Sequence, residues 1–147
     1  MSDDDVRLRR ARRVRRIAAA LALTVVVVSG LLVARVLPPS MATDVAGDAL
    51  YAVAVYAGLA LLAPRMLPSL LAVIAAAWCV GVELFQLTGL PLAWAAGFPP
   101  AALVLGSGFD ARDVVVYIAA LAAAALVDHG VRRRTGIHAA PERLNTA

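Results

Sequence analysis

Two polar side chains that could do chemistry lie near the end of a long apolar stretch. Glu83 and Gln86 are three residues apart, so a helix would place them on the same face. The surrounding stretch, residues 68–88, is long enough to cross a bilayer. An ionisable group inside such a segment is unfavourable unless it is paired or turned away from lipid, and it is commonly functional. Glu83 is therefore the first candidate for a binding group.

Other polar residues lie where neighbouring apolar stretches begin or end on the same side. Asp113 and Tyr117 are four residues apart and share a helix face. Arg35, near the end of the first apolar stretch, or Arg112, at the start of the last, could neutralise Glu83. These residues predict either a polar pocket for a headgroup or sugar-phosphate, or an internal ion pair that locks the helices together. The predicted ligand-binding residues are Glu83, Gln86, Asp113, Tyr117, Asp48, Arg35 and Arg112.

The chain lacks the residue patterns of common hydrolases and metalloenzymes. There is no G-x-S-x-G or H-E-x-x-H motif and no credible Ser/His/Asp set, so we predict no catalytic residue, metal or cofactor. Cys79 lies among apolar residues and is expected to be a small core residue. Both histidines, His129 and His138, lie in the charged C-terminal region, away from the carboxylates. Gly106-Ser107-Gly108 is too short to indicate a phosphate loop.

The amino-acid composition indicates that lipid surrounds most of the chain. Hydrophobic residues make up 62% of the 147 residues, whereas soluble domains carry about 45–50%. We predict an all-α polytopic bundle of four transmembrane helices within residues 17–128. The predicted spans are residues 17–37, 45–63, 67–88 and 110–127.

Residues 89–109 are apolar but are interrupted by prolines and glycines. The pair Pro99-Pro100 would leave backbone groups without helical hydrogen bonds, which lipid does not tolerate. We therefore predict an interfacial or re-entrant loop between the third and fourth spans. Trp94 and Phe98 would lie near the headgroups.

The distribution of arginine predicts the orientation of the bundle. Residues 1–16 form a basic arm with seven arginines, and Arg132, Arg133 and Arg134 follow the fourth span. The positive-inside rule places both termini on the cytoplasmic side of the membrane, with residues 129–147 as a flexible tail. We expect this membrane to be a bacterial inner membrane. Arginine clustered at span ends is typical of topology signals, so the pI near 10.2 does not indicate nucleic-acid binding.

Several short segments resemble a known family. They are Glu83-Leu-Phe-Gln86-Leu-Thr-Gly, residues 103–109, Asp113 with Tyr117, and Gly47-Asp48-Ala-Leu-Tyr51. The chain resembles an uncharacterised family of small bacterial membrane proteins, a domain of unknown function that is distantly similar to VanZ-like proteins. The resemblance implies an integral membrane protein with a role in the cell envelope.

By position, the resemblance implies that Glu83, Gln86 and Asp113 are signature residues. Many relatives have an arginine in the loop after Gln86, but residues 88–111 contain no basic residue. Arg112 or Arg35 would have to replace it in any anion site.

Three functions remain open at this point. The leading prediction is a protein that binds or handles an amphiphile, such as a membrane lipid, at an outer-leaflet pocket. The alternative is a non-catalytic accessory subunit of a larger membrane complex, or a self-associating protein. An enzyme that uses Glu83 as acid or base ranks third, because no second catalytic group is identifiable.

Overall fold

Prolines, a serine and a glycine divide the chain into helices. A computed structural model describes residues 3–98, 100, 105 and 108–134. Over these residues the chain is helical and contains no strand. The helices are α1 (Asp3–Val36), α2 (Met41–Leu62), α3 (Pro68–Gln86), α4 (Leu90–Gly97) and α5 (Ala111–Arg134).

Local side-chain chemistry explains several helix boundaries. At the start of α2, the Ser40 hydroxyl accepts from the Thr43 backbone N–H at 3.2 Å, and the Thr43 hydroxyl accepts from the Ser40 N–H at 2.8 Å. This reciprocal pair satisfies two N–H groups that the helix leaves open. Pro68 occupies the first turn of α3, where a missing N–H costs nothing. Gly89 precedes α4 with φ of 71°, a conformation that favours glycine.

Four of the described helices are long and apolar enough to cross a membrane. The spanning segments are Arg12–Val36, Met41–Leu62, Pro68–Gln86 and Ala111–Arg133. The chain is therefore a membrane protein, and the predicted all-α class with four spanning helices is confirmed. One difference concerns α1, which begins at Asp3 and continues as helix through the basic arm.

The predicted loop between the third and fourth spans contains the short helix α4. Its Trp94 packs against Phe85 of α3, with ring centroids 5.5 Å apart. The helix ends at Gly97, directly before the prolines that motivated the prediction of irregular backbone. That this loop is interfacial or re-entrant stays a prediction. Its residues 99, 101–104 and 106–107 lie outside the described residues.

The centre of the bundle is a three-helix core made of α2, α3 and α5, each of which packs on the other two. Its buried side chains repeat every four residues and many are small, which lets membrane helices approach closely. They include Ala52, Tyr56 and Ala60 of α2, Leu71, Ala75 and Cys79 of α3, and Tyr117 and Leu121 of α5. In the described part of the chain, α1 packs on α2 alone and α4 on α3 alone.

The antiparallel arrangement gives the bundle two chemically different ends. The carboxylate end, which holds Asp48, Glu83 and Asp113, contains the end of α1 and α3 and the start of α2 and α5. The opposite arginine end holds Arg15 and Arg132. The orientation of these ends across the bilayer stays a prediction.

Candidate functional site

Glu83 lies in the interior of the carboxylate end and is held by two donors. Its side chain is 1% exposed. The Tyr117 hydroxyl donates to Oε1 at 2.9 Å, and the Asp110 backbone N–H donates to Oε2 at 3.3 Å. Both carboxylate oxygens are thus used, which a buried acceptor requires. The glutamate of α3 thereby connects to α5 and to the turn that precedes it.

The positive charge near this glutamate belongs to Arg112, but it is shared with other acids. The guanidinium Nη2 lies 3.5 Å from Asp110 Oδ2 and 3.5 Å from Asp113 Oδ1. No ion pair of Glu83 occurs within the described residues, so neutral donors hold it where an arginine partner was predicted. Arg35 is exposed and is not among the residues that line the cavity described below.

The start of α2 brings a further carboxyl group and an aromatic chain to this end. Asp48 lies close enough to Asp113 and Glu83 to interact with both. One turn further along α2, the Tyr51 ring lies 6.2 Å from the Tyr117 ring, and its hydroxyl accepts from Trp78 Nε1 at 2.9 Å. Hydrogen bonds and ring contacts therefore connect α2, α3 and α5 beside Glu83.

A cavity of about 900 Å³ lies between α1 and the three-helix core at the carboxylate end. The α1 wall is apolar and includes Val26, Val27 and Leu31. The core wall, which we call the polar wall, carries the charged side chains of the cavity together with apolar residues such as Leu50, Ala54 and Val82. Its polar residues are Asp44, Asp48, Glu83, Gln86, Asp110, Arg112, Asp113 and Tyr117. Six of the seven predicted site residues therefore line one cavity, and Arg35 is the exception.

Two buried atoms in the polar wall have no hydrogen-bond partner among the described residues. The Gln86 amide donates through Nε2 to the Leu105 carbonyl at 2.7 Å, but no described donor reaches its Oε1. Within the same part of the chain, Arg112 Nε has no acceptor. An unsatisfied buried polar atom costs about 1–3 kcal/mol, so these positions would gain from a bound polar group. One can accept a hydrogen bond and the other can donate one.

Sequence reasoning missed a second polar cluster at the arginine end. The buried Arg15 donates through Nε to Asp128 Oδ1 at 3.1 Å and through Nη1 to the Pro64 and Met66 carbonyls at 2.6 and 2.9 Å. Asp128 also accepts from the Tyr56 hydroxyl at 2.8 Å. We call this set the arginine clamp: it consists of Arg15, Asp128, Tyr56 and the two carbonyls.

One sequence signal could have revealed part of the arginine clamp. Asp128 follows Tyr117 by eleven residues and Leu121 by seven, which places all three on one helix face. Tyr117 and Leu121 are both buried, so an inward-facing Asp128 was predictable from the spacing. Arg15 was not, because it is one of seven arginines in the first sixteen residues and nothing in its surroundings distinguishes it.

Metal binding finds no support in the described part of the chain. No group of three histidine, cysteine, aspartate or glutamate side chains there is arranged to hold an ion. Cys79 is a free, fully buried thiol in the three-helix core, consistent with a packing role.

Comparison with known proteins gives one match. A family model described as a protein of unknown function, DUF2809, matches residues 37–120. No curated protein and no solved structure matches the chain. The matched segment contains α2, α3, α4 and the start of α5, and hence the whole polar wall of the cavity. It covers more than half of the chain and confirms the resemblance to an uncharacterised family, so the protein belongs to the DUF2809 family.

Proposed function

We propose that this membrane protein binds an amphiphile, with the headgroup against the polar wall of the cavity and the apolar part against α1. The observation that carries the proposal is the division of the cavity into two unlike walls. Glu83, Asp113 and their neighbours line one side, and valine and leucine side chains of α1 line the other. A purely polar or purely apolar ligand would leave one wall without suitable contacts.

The dimensions of the cavity suit such a ligand. Small-molecule sites commonly measure about 300–1,000 Å³, and this cavity of about 900 Å³ lies in the upper part of that range. Gln86 Oε1 and Arg112 Nε, which no described residue pairs, add an acceptor and a donor to the polar wall. A headgroup that satisfies both would remove two unfavourable buried atoms.

Charge favours a headgroup that carries a cation or hydrogen-bond donors. Five carboxyl groups and one arginine line the cavity among the described residues. Arg112 already lies between Asp110 and Asp113, so little positive charge remains for a phosphate. An amine or a polyhydroxylated headgroup matches this surplus of acceptors better than a sugar-phosphate does.

The proposed setting is the bacterial cell envelope. If both termini are cytoplasmic, as the arginine distribution predicts, the cavity opens at the outer leaflet of the inner membrane. The protein would then hold or present an envelope lipid there, without a chemical step.

The test is lipid retention on purification from bacterial membranes in mild detergent. We expect native mass spectrometry to detect a lipid on the wild-type protein, and Asp48→Asn to lower its occupancy about tenfold. Asp48 lies at the polar wall and is only half-buried, so this nearly isosteric change should preserve folding. The matched control is Asp5→Asn, at an exposed position near the N-terminus.

Three outcomes would contradict the proposal. Full occupancy in a folded Asp48→Asn protein would show that the polar wall does not contact the ligand. A lipid-free wild-type protein that purifies with a stoichiometric protein partner would favour the accessory-subunit alternative. Turnover of a lipid-linked substrate would favour an enzyme.

A further inference from the structure

Helix α1 is attached to the rest of the bundle along one side only. In the described part of the chain its backbone lies against α2 and not against α3 or α5, although the Arg15 side chain reaches Asp128 of α5. Its last buried side chains are Arg15 and Ala19, and no α1 residue from 20 to 36 is buried. At 1.5 Å per residue, roughly 25 Å of α1 therefore runs beside the core without being enclosed.

The arginine clamp fixes the opposite part of α1. Arg15 reaches past α2 to Asp128 of α5 and to the Pro64 and Met66 carbonyls of the α2–α3 connection. These contacts close the space between α1 and the core at the arginine end. Toward the carboxylate end the space widens into the cavity, where Leu31 of α1 and Val82 of α3 both line the wall.

The cavity separates α1 from α3 and is lined by side chains of both helices. We call the gap between these two helices the slot: it is bounded by Val26, Val27 and Leu31 on α1 and by Val82 and Gln86 on α3. Both helices are spanning segments, and in the described part of the chain their backbones do not come into contact with each other. An opening between two spanning helices leads into lipid, because the bilayer surrounds the bundle at that depth.

We infer that the ligand enters the cavity sideways from the bilayer through the slot, and that its acyl chain remains in the slot while its headgroup is bound. This rests on the proposed function and adds to it the route and the class of ligand. The ligand is then a bilayer lipid with an amine or polyhydroxyl headgroup, and a water-soluble molecule with the same headgroup binds poorly. The length of α1 left open, roughly 25 Å, is close to a hydrocarbon thickness of about 30 Å, so there is room for an acyl chain.

The first test closes the slot. Leu31→Cys and Val82→Cys are introduced together and joined by a short bismaleimide; the native Cys79 is fully buried and should not react. The control pair, Leu62→Cys and Leu67→Cys, joins exposed positions at the α2–α3 connection with the same reagent. In nanodiscs, we expect exchange of a glucosyl diacylglycerol with a fluorescent acyl chain to slow at least tenfold in the bridged slot protein, and to be unchanged in the control.

The second test needs no bridge. Glucosylglycerol, which has the same headgroup without acyl chains, should compete with the fluorescent lipid at least a hundredfold more weakly than unlabelled glucosyl diacylglycerol does. Equal competition would overturn the inference, since the chain would contribute nothing. Equal exchange rates in the two bridged proteins would overturn it as well.

The tests separate failure of the route from failure of the binding function. If the unbridged protein binds lipid but the bridge has no effect, the amphiphile site stands and lateral access is wrong. If the unbridged protein binds no lipid of any headgroup, the proposed function itself is wrong, and the inference fails with it.

Discussion

Breaking the arginine clamp should destabilise the bundle more than any other single change at the arginine end. Arg15 is 4% exposed and Asp128 is 13% exposed, so both charges are largely removed from solvent. Removing one partner of a buried ion pair typically costs about 3–5 kcal/mol. In Asp128→Asn the guanidinium keeps its bonds to the Pro64 and Met66 carbonyls, which still solvate part of its charge. We therefore expect Asp128→Asn to lower the free energy of unfolding by about 3 kcal/mol, at the lower end of that range.

The converse change, Arg15→Met, should cost a similar amount. The Asp128 carboxylate would keep the Tyr56 hydroxyl at 2.8 Å but lose the guanidinium that donates to both of its oxygens. Combining Arg15→Met with Asp128→Leu removes both charges, and apolar replacement of a whole buried pair is often neutral. The double variant should therefore be more stable than either single variant, which with single costs of about 3 kcal/mol each requires a coupling energy above about 3 kcal/mol.

Thermal unfolding in detergent, followed by tryptophan fluorescence, measures these differences. A loss of about 3 kcal/mol should lower Tm by on the order of 10 °C. Arg13→Met is the matched control, because it removes the same charge from an exposed position of α1 and should leave Tm nearly unchanged. If the single variants have the same Tm as the control variant, the argument that the two charges are buried as a pair is refuted. A double variant that is less stable than both single variants would refute it as well.

Three further changes test smaller parts of the structure by the same unfolding measurement. Tyr117→Phe removes the hydroxyl that donates to Glu83 at 2.9 Å and should cost about 2 kcal/mol, because a buried carboxyl oxygen loses its donor; no loss would mean that Glu83 has another donor. Ser40→Ala removes the cap of α2 and should cost about 1 kcal/mol, whereas Ser40→Asp should keep most of the stability. Gly89→Ala should cost about 1 kcal/mol, because φ is 71° there although no atom blocks a Cβ; an unchanged Tm would contradict that conformation.

The fold was largely predictable because hydropathy and charge act at the scale of whole helices. Apolar stretches as long as the hydrocarbon core is thick predicted the four spanning helices, and the antiparallel order placed Asp48, Glu83 and Asp113 at one end. The same argument brought Arg35 to that end, but not into the cavity. The predicted start of the first helix was less accurate, since the arginine-rich residues continue the helix of α1 back to Asp3.

Individual partners were not predictable, because these helices are apolar on all sides. A soluble helix has an apolar stripe that indicates which face is buried, but a spanning helix gives no such signal. The sequence therefore indicated an arginine for Glu83, while the rotation of α5 about its axis presents Tyr117. The same limitation concealed the link between Arg15 and Asp128, which depends on the length and direction of two side chains.

The sequence separation of the arginine clamp has a consequence for biosynthesis. Arg15 and Asp128 are 113 residues apart, and ribosomes add roughly 5–20 residues per second, so the arginine is made roughly 6–23 s before its partner. Meanwhile α1 can pair with α2, which follows it directly, and Arg15 can reach the Pro64 and Met66 carbonyls once they are made, but not Asp128. The ion pair between Arg15 and Asp128 can therefore form only after α5 has been made, so the arginine clamp is completed late in assembly.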